Sequence, residues 1–171
     1  FAAYEAAVKA DATYAPAQFR LGEGYLFRGK FDQAAAAFAA ASEDAELRPE
    51  ALFRLGETSD RQAKLDDAIK TYREALELRP SYSEVRAELC SALFRKGQLD
   101  DALSECRRAV REKPDLARGH YYLAFALYKK DLGDAAIESL HKAIEVQPDF
   151  PEAHYWLGQI YKDRKDSTRA A

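Results

Sequence analysis

The chain has 171 residues, 47% of them hydrophobic and 32% charged, which is the composition of a folded domain and not of a disordered tail. Its 26 Lys+Arg against 29 Asp+Glu leave a formal net charge of −3, so there is no basic excess to grip a phosphate backbone and nucleic acid is not expected as a partner. No apolar stretch approaches the roughly 20 residues that span a bilayer and no signal-peptide pattern opens the chain, so membrane insertion is not expected. A soluble protein of the cytoplasm or periplasm is expected, with the compartment left open, and the abundance of Ala and Arg points to a bacterial source. With no methionine at all, the sequence reads as an excerpt or a processed form.

An internal period organises everything else. Leu21, Leu55, Leu89, Leu123 and Leu157 recur at intervals of 34 residues. Next to them runs a column of small residues, Gly22, Gly56, Cys90, Ala124 and Gly158. Ala34, Ala68, Ala102, Ala136 and Ala170 form another. A column of mostly large residues, Tyr4, Phe38, Tyr72, Cys106 and Leu140, is followed three residues on by Ala7, Ala41, Ala75, Ala109 and Ala143. Leu21, Gly22 and Tyr25 share one helical face and Ala34, Phe38 and Ala41 share another, so each period holds two helices.

In chain order, residues 1–13 read as a lone second helix. Full two-helix units follow at 15–48, 49–82, 83–116 and 117–150, and 151–171 reads as a first helix without its partner. Gly29-Lys30 and Gly97-Gln98 end first helices; Pro80, Pro114 and Pro148 close second ones. Asp32, Asp66, Asp100 and Asp134 stand where they favour the dipoles of second helices. The residues Asp166–Ala171 are expected to fray, and further repeats or caps are expected on either side, because a repeat buries its apolar face only against its neighbours.

The pattern of Leu21, Gly22 and Tyr25, followed by Ala68, Tyr72, Ala75 and Pro80 in the next unit, resembles the tetratricopeptide repeat consensus over nearly the whole chain. The resemblance implies an all-α, right-handed superhelical solenoid of antiparallel helix pairs, and a scaffold that holds a peptide or partner segment in a concave groove. Glu46 and Ala12 depart from the closing proline, Ser59 from the Tyr25 column and Cys106 from the aromatic column. A pentatricopeptide array would need a different period and base-reading residues.

Sorting the first helices by face leaves one stripe free. The edge of Ala17, Ala51, Val85, Gly119 and Ala153, with Gly24, Thr58, Ala92, Ala126 and Ile160, is expected between consecutive repeats. The remaining stripe is Phe19, Glu23, Leu26 and Phe27; Phe53, Glu57, Asp60 and Arg61; Ala87, Ser91, Phe94 and Arg95; Tyr121, Phe125, Tyr128 and Lys129; and Tyr155, Gln159, Lys162 and Asp163. A free helix face should be polar, and this one is rich in rings. Two readings stand side by side: an aromatic-walled groove with Arg61, Arg95 and Lys129 as a basic rail for an apolar-rich ligand carrying acidic residues, or rings that pack along the ladder of first helices.

Members of the family that clamp a chaperone C-terminal carboxylate have Lys, Asn and Arg at places held here by Phe19, Glu23, Glu57, Ala87 and Ser91, so no such clamp is expected. Glu23, Glu57 and Asp60 would repel a carboxylate. His120, His141 and His154 lie in no metal-binding pattern; His120 and His154 are read as ordinary partly buried side chains and His141 as solvent-facing. Cys90 and Cys106 fall in facing columns of one unit; a disulfide is geometrically open, but two small buried thiols are the preferred reading. Gly22-Glu23-Gly24 lies inside a helix and is no nucleotide loop. No catalytic constellation, metal or cofactor is expected, and the chain is read as no enzyme. The other classes left open are an architectural spacer, self-association through the exposed repeat ends, and an accessory domain of a larger enzyme.

Overall fold

A computed structural model describes the backbone of residues 1–170 and the side chains of 1–164. It has ten helices and no strand among the described residues: α1 (Ala2–Ala10), α2 (Ala15–Phe27), α3 (Phe31–Ala41), α4 (Arg48–Arg61), α5 (Leu65–Leu78), α6 (Ser83–Arg95), α7 (Leu99–Glu112), α8 (Ala117–Lys129), α9 (Gly133–Val146) and α10 (Pro151–Ala170). The densest packing is within the hairpins α2–α3, α4–α5, α6–α7 and α8–α9; each second helix then packs on the first helix of the next hairpin. The fold is the all-α helical solenoid that the period implies. The expected fraying of Asp166–Ala171 falls on side chains, and at Ala171 on backbone, outside the described residues.

Local chemistry sets each boundary. Pro16, Pro49 and Pro151 sit in the first turn of α2, α4 and α10, where a missing N–H costs no helical bond. First helices end with a residue in the left-handed region, at φ 70° for Gly29, 59° for Ala63, 82° for Gly97 and 59° for Asp131. The next amide then donates to the carbonyl five residues back: Lys30 to Tyr25, Lys64 to Ser59 and Gln98 to Leu93 at 2.9 Å, Leu132 to Leu127 at 3.0 Å. Glycine is suited to that backbone, and Ala63 and Asp131 adopt it under strain.

The hairpins close by small-against-large packing. A methyl group at Gly22 would lie 2.6 Å from the Phe38 ring, and Tyr72 presses on Gly56 in the same way. Phe38, Tyr72, Ala41 and Ala75 are fully buried. In α6–α7 the corresponding pair is Cys90 and Cys106, and here the preferred thiol reading is corrected: the two are joined as a disulfide, with Cα atoms 5.4 Å apart. The reason is the column geometry itself, since the two columns meet where the helices approach most closely, within bridging range. The edge of Ala17, Ala51, Val85, Gly119 and Ala153 is buried between repeats as expected.

Two periodic braces were not read from the sequence. In four units the residue three before the column leucine reaches back six positions to a carbonyl: Gln18 Nε2 to Ala12 (3.0 Å), Arg86 Nη2 to Pro80 (2.5 Å), His120 Nε2 with Pro114 (2.8 Å) and His154 Nε2 with Pro148 (2.9 Å). The two histidines therefore tie down the closing prolines of the preceding units, with His120 half-buried and His154 exposed; His141 is exposed. Arg86 is buried and also pairs with Glu105 (2.6 Å) and Glu112 (3.2 Å) on α7. In the second brace, the aspartates at the starts of second helices reach the end of the next first helix: Asp32 accepts from Gln62, Asp66 pairs with Lys96, Asp100 with Lys130 and Asp134 with Arg164. These exposed pairs contribute at most about 1 kcal/mol each.

Candidate protein-binding surface of the first helices

The stripe on the first helices divides into two halves. In the N-terminal half, Phe19 and Phe53 are 8% exposed: Phe19 lies edge-on to Phe38 at 5.5 Å, and Phe53 packs on Tyr72 (6.3 Å) and Tyr82 (5.4 Å). These two rings are buried against the second helix of their own hairpin, Phe53 also against Tyr82, and not along neighbouring first helices. Leu26 packs against the same cluster as Phe38, whereas Phe27 is 93% exposed.

The C-terminal half gathers rings into one connected wall. Phe94 meets Phe125 at 6.0 Å; Tyr121 meets Phe125 at 4.8 Å and Phe150 at 5.0 Å; Phe125 lies edge-on to Trp156 at 4.7 Å. All are half-buried. In the middle repeat the columns that elsewhere hold Phe53 and Tyr121, or Glu57 and Phe125, hold only Ala87 and Ser91. Beside Ser91 lies a mostly apolar cleft of about 160 Å³ lined by Ser91, Phe94, Arg95, Tyr121, Tyr122 and Phe125. Tyr155 stands beyond it, 60% exposed, beside Trp156. Tyr122, Phe150 and Trp156 were missed because they stand one column aside or in a loop, outside the stripe. The column of Arg20, Arg54, Glu88, Tyr122 and Trp156, which turns aromatic toward the C-terminus, carried the signal.

The charges are less free than the residue types suggest. Glu23 is bound by Arg20 (2.8 Å) and Glu57 by Arg54 (2.9 Å). Arg95 of the basic rail reaches across to Asp60 at 2.5 Å, while Arg61 and Lys129 are exposed and pair with no acid among the described residues. Tyr128 donates to Asp163 (2.7 Å), the same cross-repeat register as Asp60 with Arg95. Under the cleft, Glu88 accepts from Arg118 (2.8 Å) and from the Tyr122 hydroxyl (3.2 Å). Burial raises the Glu88 carboxyl above its ordinary value even though Arg118 opposes the shift.

Family models of the tetratricopeptide repeat match residues 19–83 and 61–124, and a TPR repeat model matches 134–163. The chain belongs to the tetratricopeptide repeat family. Its fold is similar to that of MamA from Desulfovibrio magneticus RS-1 (22% identity, TM-score 0.76, covering 91% of this chain and 88% of that one). It is also similar to TTC0263, a thermophilic TPR protein of Thermus thermophilus (26%, 0.75, 88% and 82%). A third is YrrB, described as a TPR protein with an unusual peptide-binding site (26%, 0.70, 89% and 78%). No curated protein matches. Tetratricopeptide repeats are typically interaction scaffolds and not enzymes. Among the described residues no three His, Cys, Asp or Glu side chains gather as a metal site, and no helix is long and apolar enough to cross a membrane.

Proposed function

We infer that the chain is a non-catalytic scaffold that takes a segment of another protein onto the first-helix surface, anchored in the cleft beside Ser91. The supporting observation is the cleft itself: rings from two neighbouring repeats, Phe94 with Tyr121, Tyr122 and Phe125, wall an open cleft of about 160 Å³ beside Ser91, of a size to receive one apolar side chain. Lys129 and Arg61, exposed and in the column of the cleft's Arg95, pair with no acid among the described residues and offer positive charge to acidic residues flanking that anchor. Peptide binding by YrrB, a structure of the same fold, is consistent with this use.

A random-peptide display library selected on the wild-type chain tests the reading. Binders should combine an apolar anchor with Asp or Glu. They should lose affinity for Ser91→Phe, which fills the cleft, and for the double variant Arg61→Glu, Lys129→Glu. Binders indifferent to both would move the site elsewhere, for which the open trough of about 710 Å³ over α7, α8 and α9, lined by Val110, His120 and Lys142 among others, is the alternative surface.

A further inference from the structure

The lining of the cleft beside Ser91 is not uniformly apolar. Phe94 meets Phe125 at 6.0 Å and Tyr121 stands edge-on to Phe125 at 4.8 Å, so these three rings form one aromatic surface. Ser91, Arg95 and Tyr122 are the polar members of the lining. Arg95 is engaged across the repeat by Asp60 at 2.5 Å. The two hydroxyls, Ser91 and Tyr122, are engaged in a different way.

A buried charge orders them. Glu88, one turn before Ser91 on α6, accepts from Arg118 at 2.8 Å and from the Tyr122 hydroxyl at 3.2 Å. A carboxylate has no proton to give, so Tyr122 directs its own proton at Glu88 and its oxygen is left to accept. Burial and then the charge of Glu88 raise the Tyr122 phenol, which keeps it protonated as that donor; Arg118 and a hydrogen bond from Ser91 oppose the shift. The Ser91 proton is therefore directed at Tyr122. Other helical hydroxyls turn to their own backbone: Thr58, Thr71 and Ser139 donate to the carbonyl four positions back at 2.7, 2.8 and 2.8 Å, and Ser91 makes no such bond among the described residues. The series runs from Ser91 to Tyr122 to Glu88 with every proton pointing inward. What Ser91 presents to the cleft is an oxygen that accepts.

We propose that the anchor of the partner segment is an aromatic side chain with a hydrogen-bond donor on its rim, tyrosine or tryptophan. Its O–H or N–H donates to Ser91 Oγ while its ring lies against Phe94, Tyr121 and Phe125. The inference rests on the reading of this cleft as the anchor site and adds which side chains the site selects. Phenylalanine would meet the same rings but take the Ser91 oxygen out of water without a donor, and a carboxylate would bring only acceptors to it.

Amide shift titrations of the labelled chain with capped peptides Ser-Glu-X-Glu-Ser, where X is Tyr, Trp, Phe or Leu, test this. The Tyr and Trp peptides should bind about fivefold more tightly than the Phe and Leu peptides, the effect of one hydrogen bond. In Ser91→Ala, which removes the acceptor and keeps the rings, the Tyr-to-Phe affinity ratio should fall to about one. Tyr122→Phe removes the group that orients the Ser91 proton and should shrink the ratio as well. Four peptides that bind at the cleft with equal affinity would overturn the proposal and leave the cleft as a general apolar anchor site. So would a ratio unchanged in Ser91→Ala or in Tyr122→Phe. Peptides that leave Ser91, Phe94, Tyr121 and Phe125 unshifted would overturn the reading of the cleft itself, and this proposal with it.

Discussion

The ring of Tyr72 lies directly on the backbone of Gly56, with no room left for a β-carbon. This contact joins α4 to α5 and recurs as Phe38 on Gly22, so the glycine column is a packing requirement in two hairpins and an unfilled one at Gly158. The same substitution should therefore have opposite effects at equivalent positions. Gly56→Ala gains helix propensity but forces the ring outward, for a net loss of about 1–2 kcal/mol. Gly158→Ala, measured on dilute protein, should be neutral or stabilising by up to about 1 kcal/mol. Urea unfolding of both variants checks the contrast, and equal effects would refute the packing account.

The Cys90–Cys106 bridge replaces a ring-on-glycine contact with a covalent one, and it closes a short loop across α6 and α7. In the loop-entropy description a loop of this length contributes about 3 kcal/mol. Guanidinium unfolding with and without a phosphine reductant should show a loss of that order. A chain equally stable in both conditions would mean that the bridge adds nothing to the packing of α6 on α7.

At the ends of first helices the backbone, and not the surroundings, decides. Nothing lies within 4 Å of where a side chain at Gly97 would begin, so Gly97→Ala tests the left-handed conformation alone and should cost about 1 kcal/mol. Ala63→Gly, which relieves the same conformation, should gain a comparable amount less the added freedom of the unfolded chain. Thermal unfolding of both variants reads the two signs.

Two glutamates should respond oppositely to pH. At Glu112, burial raises the carboxyl's affinity for a proton, but the hydrogen bond from Arg108 and the charge of Arg86 outweigh it and hold the group below its ordinary value. Its folded value is depressed, so its stabilising contribution is present above the ordinary carboxylate range and is lost as pH falls through the folded value. Glu112→Gln should therefore lose stability near neutrality and converge with the wild type in acid. Glu88 is shifted upward, mainly by burial. Its charge opposes folding above its folded value, and protonation relieves this as pH falls. Glu88→Gln should match or exceed the wild type near neutrality, with the difference shrinking in acid. Paired stability–pH profiles of the two variants measure both signs.

Arg86 carries the densest polar network of the stack, to Glu105, Glu112 and the Pro80 carbonyl. Its glutamate partners retain some solvent access, so Arg86→Met should cost less than a fully buried pair would, about 2 kcal/mol. Denaturant midpoints of this variant and of Glu105→Gln check the value.

The period made the fold legible because the columns at Leu21, Gly22, Phe38 and Ala41 are packing instructions written in residue size. The braces were not legible, because Gln18, Arg86, His120 and His154 share a role and no chemistry: each offers a side-chain nitrogen to the same carbonyl. The stripe was legible as a face but not as a site. Phe19 and Tyr121 stand in one column, yet Phe19 sinks onto Phe38, whereas Tyr121 stays half-buried beside the cleft at Ser91. Sequence spacing assigns a side to a residue; the bulk of its neighbours decides how deep it lies.

The central claim, that the cleft beside Ser91 receives a partner's side chain, is tested most directly by amide shift mapping of the labelled chain titrated with a selected peptide. The account predicts saturable shifts concentrated on α6 and α8 around Ser91, Phe94, Tyr121 and Phe125. Shifts confined to α7 and α9, or to α1 and α10, with those four residues unmoved, would contradict it.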